Sequence, residues 1–296
     1  MRELRWAGLA AAAAAMAIMF FFALSSQEPA WRSSSKESKP IQTADKALQT
    51  KPAIHNEAKR EDLKRDIVRQ FQHEAPKQWG EYVPGVLTHL VSDKKVVALT
   101  FDACGGTNGN GYDRKLIDYL ISQRIPATLF INSRWIDANL KTFLELAKNP
   151  LFEIENHGTE HRPLSINGKS AYGIPGTKNA GEVIDEVWVN SQKIKQLTGR
   201  TPKYFRSGTA YYDEVAVKIV KELGEQPVNF NVLGDAGATF SKNQIVKQFS
   251  KAGPNSIIIF HMNHPEKQTA DGVMAGVPRL LKEGYQFVRL EDYPLQ

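Results

Sequence analysis

From Lys95 onward, short runs of β-branched and aromatic residues recur at regular intervals. They are Val96–Phe101, Ala127–Ile131, Phe152–Glu155, Lys203–Phe205, Val228–Val232, Ser256–Phe260 and Gln286–Leu290. Between most of them lie stretches with helical spacing, over Asp113–Gln123, Ala180–Leu197, Asp213–Leu223, Lys242–Lys251 and Val273–Glu283. Alternation of strand and helix predicts parallel strands, because a parallel neighbour requires a crossover back to the starting end. Seven strands in about 200 residues predict an α/β fold with a closed or nearly closed barrel, a doubly wound open sheet being the alternative.

Upstream the pattern changes. Ala7–Leu24 is an uncharged apolar run preceded by Arg2 and Arg5, with Ala23 and Ser25 as small residues at its end. Residues 1–25 therefore read as a signal peptide or an N-terminal membrane anchor. The basic flank before the run and the long polar region after it predict export, either to the periplasm or to the outer face of the inner membrane. Residues 26–56, rich in Ser, Lys, Gln, Pro and Ala, read as a flexible polar linker. Leu63, Ile67, Val68 and Phe71 predict a helix within an N-terminal extension, 57–94, that packs on a single catalytic domain, 95–296.

Composition alters this outline little. With 42% hydrophobic and 24% charged residues, the 296-residue chain is neither mostly disordered nor fibrous. The net charge of +6 divides unevenly: +1 in 1–24, +3 in 25–70 and +2 in the rest. Basicity thus belongs to the tail, and no run in the domain calls for nucleic acid. Membrane contact is expected only through the N-terminal segment, and no protein partner is implied. Cys104 is the only cysteine, so an intrachain disulfide is excluded.

Candidate chemistry gathers at the C-terminal ends of the predicted strands. Asp102 follows Phe101, His157 lies two beyond Glu155, Arg206 follows Phe205, Asp235 lies three beyond Val232, and His261 follows Phe260. Loops at that end build the active site in α/β barrels, so this placement predicts an enzyme. His157 and His161, at i and i+4, share a face if the segment turns helically, and can then reach one divalent ion. Asp102 ends a buried strand, where a carboxylate needs a partner or a metal; a turn-capping Asp before a Gly-rich loop is the plainer alternative. The loop Gly105–Gly111 lacks the Lys-Ser/Thr of a P-loop, and Arg114 stands where a third dinucleotide-site glycine would be, which disfavours nucleotide.

In this order the residues resemble the polysaccharide deacetylases with a NodB-like domain, carbohydrate esterase family 4. Thr100-Phe101-Asp102 is similar to the first family motif, Glu153 to His157 with His161-Arg162-Pro163 to the second, and Tyr204-Phe205-Arg206 with Tyr211 to the third. Asp235 falls at the variable fourth motif, Ile257 to His261 resembles the fifth, and Gly284 to Leu290 resembles the family's ending. The resemblance implies a distorted (β/α)7 barrel and a metal-dependent hydrolase that removes N-acetyl groups from an amino-sugar polymer. It further implies His157 and His161 as ligands of a divalent metal (zinc is the first expectation), Asp102 as catalytic base, His261 as general acid, and Arg206 lining the groove. Tyr211 and Tyr212, following Arg206 on a rim loop, are candidates to stack on sugar rings.

The chain departs from the family at three points. Ala103 replaces the second Asp, the third metal ligand; Gly158 replaces a hydroxyl residue; and Arg206-Ser207-Gly208-Thr209 lacks the usual prolines. A water, Asp102 itself with Asp235 as the spare base, or a Cys104 thiolate could fill the ligand position. Cys104 points to the same side as Asp102 in extended backbone, but is read first as a small buried filler. Glu155 and Glu160 are left outside the site, His264 is read as a loop histidine, and Trp188 as core. Two other functions remain open: a carbohydrate-binding protein on an inactivated barrel, and a cysteine hydrolase using Cys104.

Overall fold

The computed structural model describes residues 61–296; the expected leader (1–25), the linker (26–56) and the first four residues of the extension lie outside the described residues. Helix α1, residues 61–71, buries Ile67 and Phe71 against Val183, Val187 and Val220 in one of three apolar clusters. Strand β1 (Trp79–Gly80) then pairs antiparallel with β6 (Tyr212–Asp213). The main sheet starts at β2 (Val96–Ala103), whose eight residues are all buried. Such an unbroken run suits a parallel strand covered on both faces. Ala98 faces the barrel interior with Phe130 and Ile259, whereas Leu99, Phe101 and Ala103 face the helices.

The other strands are β3 (Ala127–Ile131), β4 (Phe152–Asn156), β5 (Tyr204–Phe205), β7 (Gln226–Pro227), β8 (Val232–Leu233), β9 (Ser256–His261) and β10 (Gln286–Val288). They run parallel in the order β7-β5-β4-β3-β2-β9-β8, and β10 pairs with Val96–Ala98 of β2. The sheet curls without closing completely, flanked by helices. This is a distorted (β/α) barrel. Sequence pattern predicts a single strand over Val228–Val232, but the segment crosses between the sheet's two ends. Val228 N donates to Phe205 O, whereas Asn231 N donates to Ile257 O. Two asparagines explain the crossing. Asn229 Nδ2 donates to the carbonyls of Glu81 and Ala210, and Asn231 Oδ1 accepts from Ile257 N.

Helices α2 (Arg114–Ser122), α3 (Ser133–Ala138), α4 (Leu140–Lys148), α5 (Ala180–Thr198), α6 (Glu214–Glu222), α7 (Lys242–Phe249) and α8 (Thr269–Lys282) supply the crossovers. Asp113, Asn179 and Asp213 cap α2, α5 and α6 by accepting from Leu116 N, Glu182 N and Ala216 N. Capping satisfies amides that have no intrahelical partner. Helices α7 and α8 pack closely because α8 offers Gly272 and Gly276, where a Cβ would come within 2.4 Å of Ile245 and 2.2 Å of Phe249. Among the described residues, no helix is long and apolar enough to cross a membrane.

A buried carboxyl group supports the end of β4, from which the site extends. Glu225, after α6, accepts from Asn156 Nδ2 at 2.9 Å. Burial raises its carboxyl to about 8, against the lowering effect of Ser191 and Asn156. An unfolded Glu ionises near 4.5, so the folded chain holds this proton more tightly. The resulting stabilisation is complete below about pH 4.5 and is lost as pH rises through about 8. Chemical denaturation from pH 5 to 9 should therefore show a decline of about 3–5 kcal/mol in the wild type that is absent from the Glu225→Gln variant. A parallel decline in both proteins would show that Glu225 is not its source.

Candidate metal and active site

Strand alternation decides which residues of the first motif reach the site. Asp102 points inward and is 2% exposed, whereas Ala103 is wholly buried in the apolar layer beneath the helices. Cys104 returns to the side of Asp102, half-buried on the cavity wall. Asp102 Oδ1 accepts from Arg206 Nη1 at 2.7 Å, and its Oδ2 lies 3.6 Å from His157 Nε2. Arg206 is fully buried. It also donates to Thr100 Oγ1 and to the carbonyls of Val228 and Asn229, and lies over the Phe130 ring. Every face of this guanidinium is occupied, as a buried charge requires.

His157 follows β4 directly. Its Nδ1 lies 2.9 Å from Arg206 O. A carbonyl can only accept, so Nδ1 carries the proton and the Nε2 lone pair is free to coordinate. His161 comes close to it, with ring centroids 4.9 Å apart. The expected helical turn between them is absent. Gly158 has φ 77° and His161 φ 58°, so an irregular loop brings the rings together. A Cβ on Gly158 would lie 2.4 Å from Glu186 Oε1, which explains why no larger residue stands there. Glu186 accepts from Glu160 N and Arg162 N and so holds the loop on both sides of His161. Burial raises this carboxyl to about 7.

The donor atoms of Cys104, His157 and His161 all lie within 4.8 Å of one another. His161 Nε2 is buried with no hydrogen-bond partner among the described residues. Burial opposes ionisation of the Cys104 thiol. The neighbouring imidazoles of His161, His157 and His261 nevertheless bring it well below the usual thiol range. An unpartnered imidazole nitrogen, a free Nε2 lone pair and a thiol biased toward thiolate fit a divalent ion of borderline softness. Cys104 is therefore a site residue rather than an inert filler.

His261 closes β9, in register with Asp102 across the ladder. Asp235, fully buried, accepts from His261 N at 2.7 Å, lies 2.8 Å from His261 Nδ1, and accepts from Thr269 Oγ1 at 2.9 Å. Burial alone would lower the His261 pKa, but the Asp235 carboxylate holds it well above the usual imidazole range. Both oxygens of Asp235 are thus spent behind His261, and the carboxylate is not available as a substitute base. A cavity of about 560 Å³ opens on Asp102, Cys104, His161 and His261.

Tyr212, expected on the groove, is instead wholly buried. Its phenol accepts from Ser207 N at 2.8 Å and supports the turn after Arg206 from beneath. Tyr211 packs against Trp79 and the exposed Tyr172, with ring centroids at 5.6 and 5.4 Å. Glu155 accepts from the amides of Lys203 and Tyr204 inside the barrel. His264 lies at the cavity rim beside Glu266, and Trp188 is packed against the core. Sequence reasoning assigned no role to Asn132, Asn156, Glu186 or Asn190. Asn132 Nδ2 donates to the carbonyls of His157 and Gly158, and Asn156 Oδ1 accepts from Gly158 N and Asn190 Nδ2. The signal available for two of them was polar residues, Glu186 and Asn190, beside Val183 and Val187 on the buried face of α5.

The class this fold and site define is a curled parallel barrel that gathers a metal-ligand cluster and a buried carboxylate at its strand ends. The polysaccharide deacetylase family model matches residues 90–228, and the chain carries a domain of that family, carbohydrate esterase family 4. It is 26% identical over 238 residues to an uncharacterised 30.6 kDa protein of Geobacillus stearothermophilus, covering 75% of this chain and 80% of that one. Among solved structures it resembles BA3943 of Bacillus anthracis, a pseudoenzyme of this family, with TM-score 0.60 and 19% identity over 72% of this chain and 69% of that one. It also resembles PdaA of Bacillus subtilis, a family 4 carbohydrate esterase, with TM-score 0.56 and 24% identity over 71% and 84% of the two chains. A mutant of BA3943 has restored enzymatic activity. The fold alone therefore does not guarantee turnover.

The direction of residue 103 yields a test. Ala103→Asp would place a carboxylate among Ile131, Trp135 and Phe260 rather than at the metal position. It should lower stability by about 2–4 kcal/mol without tightening divalent-metal binding. Denaturant titration and metal titration of the same variant check both halves, and tighter binding would contradict the stated orientation.

Proposed function

We propose that the protein is an exported, zinc-dependent hydrolase that removes N-acetyl groups from an amino-sugar polysaccharide or oligosaccharide. Its catalytic unit is the domain from about residue 95 onward. The observation that carries this reading is the Cys104, His157 and His161 cluster beside a buried carboxylate and a carboxylate-backed histidine. Cys104, His157 and His161 would hold the ion. A mixed thiolate–imidazole set of three protein ligands suits zinc with an open position for chemistry. When bound, the ion polarises the acyl carbonyl and acidifies water.

The chain's own residues account for the proton movements. Asp102 Oδ2, free of Arg206, takes a proton from the water that attacks the acetyl carbon. Arg206 aims the carboxylate through Oδ1. His261 returns a proton to the leaving nitrogen as the C–N bond breaks, releasing acetate and a free amine. Asp235 fixes the tautomer and direction of His261 through Nδ1, leaving Nε2 as the donor. Tyr211, with Trp79 and Tyr172, offers an aromatic wall for sugar rings.

The low-lying Cys104 thiol also supports a second reading, a cysteine hydrolase with His261 or His157 as partner. Chelation separates the two. In the first reading, acetate release from N-acetylated chito-oligosaccharide stops on chelation and returns with zinc, and Cys104→Ser lowers metal affinity. In the second, chelation leaves turnover intact. Asp102→Asn should keep the metal and lose turnover by about two to four orders of magnitude. It should also cost stability, because Arg206 is left buried without its counter-charge. Normal acetate release by folded Asp102→Asn protein would remove Asp102 from the mechanism. Absence of release by metal-loaded wild type would favour a carbohydrate-binding protein on this barrel.

A further inference from the structure

Of the cavity-lining groups that the proposed reaction does not use, Asn263 is the one whose side-chain amide is wholly unmet among the described residues. Asn263 is 1% exposed, yet neither its Nδ2 nor its Oδ1 has a hydrogen-bond partner among the described residues. Asn190, Asn229 and Asn255 also contain an unpaired atom, but in each case it is only the oxygen. Their Nδ2 groups donate to the carbonyls of Ile131, Ala210 and Ser92 respectively. Asn263 is thus the one buried amide with both ends unmet among the described residues. Leaving buried donors and acceptors unpaired is costly, and each such case in a folded protein calls for a reason.

The surroundings supply one. Asn263 lines the same cavity as Asp102, Cys104 and His261. Its backbone is fixed. The preceding Met262 donates through N to Asp102 O at 2.9 Å and accepts through O from Asp113 N at 2.8 Å. Gly109 and Gly111 pack directly onto Asn263. A Cβ at the first would come within 3.2 Å of its Nδ2, and a Cβ at the second within 2.6 Å of its carbonyl oxygen. The glycines let the loop press on the residue without filling the space beside its amide. Among the described residues, no Lys or Arg lines the cavity.

We infer that Asn263 is a substrate-binding residue that takes two adjacent hydroxyls of a sugar ring. One hydroxyl accepts from Nδ2 and the other donates to Oδ1. This rests on the carbohydrate substrate proposed above. A carboxamide presents a donor and an acceptor side by side, whichever way it is turned. The N-acetyl group of a substrate is a trans secondary amide with its N–H and carbonyl on opposite edges, so it can meet only one of them. The free 3- and 4-hydroxyls of a non-reducing terminal amino sugar, as in a chito-oligosaccharide, supply both.

The test is binding of tetra-N-acetylchitotetraose to metal-loaded protein by calorimetry, with metal content and thermal unfolding measured alongside. Asn263→Ala and the similarly shaped Asn263→Leu should each weaken binding at least tenfold, with metal content unchanged. The ligand-free melting temperature should hold or rise in both, because the amide removed has no partner in the free protein. Equal affinity in wild type and both variants would overturn the assignment. So would a fall of more than about 4 °C in both ligand-free variants, which would mark the amide as a support of the fold. Wild-type protein that neither binds the oligosaccharide nor releases acetate would overturn the carbohydrate reading itself, and this inference with it.

Discussion

The contact on which the site depends is the buried ion pair between Arg206 and Asp102. A fully buried guanidinium is tolerable only if its charge and all its donors are met. Those requirements fix three stretches of chain at once: Asp102 and Thr100 on β2, Arg206 after β5, and the carbonyls of Val228 and Asn229 in the crossing segment. The backbone carbonyl of Arg206 then orients His157. One residue thereby sets the direction of a carboxylate and the tautomer of a histidine on a different strand.

The second half of the site is independent in its support. His261 takes its direction from Asp235, and Asp235 takes a bond from Thr269, the first residue of α8. The position of α8 is set by contact with α7 through Gly272 and Gly276. The paired carboxylate and histidine thus stand next to each other in the β2–β9 ladder while answering to different parts of the fold.

Much of this was legible in the sequence because it follows from periodicity. The parallel barrel could be read from alternating strands and helices, and the gathering of Asp102, His157, Arg206 and His261 from their positions at strand ends. What was hidden depends on direction and on distant partners. Alternation along β2 put Cys104 with Asp102, but nothing local showed that histidines would surround its thiol. Tyr212 resembled a groove residue because it follows an arginine motif; pairing of its strand with Trp79–Gly80 turned it into the core. The strand expected over Val228–Val232 failed because Asn229 and Asn231 use their side chains where ladder bonds were anticipated. The loop carrying both histidines is held by Glu186, a residue of a helix nearly thirty positions downstream of His157.

The segment before β2 has a consequence for how such a protein can change. Glu81 lines the cavity, and its carbonyl is held by Asn229 Nδ2, while Trp79 packs on Tyr211. One wall of the cleft therefore comes from a stretch of chain that contributes no group to the polar centre. Side chains there can be exchanged or recharged as long as the backbone links to Asn229 and to the Tyr212 strand are kept. The outer wall of the cleft and its polar centre thus come from different stretches of the polypeptide, and side-chain drift in one need not be matched by drift in the other.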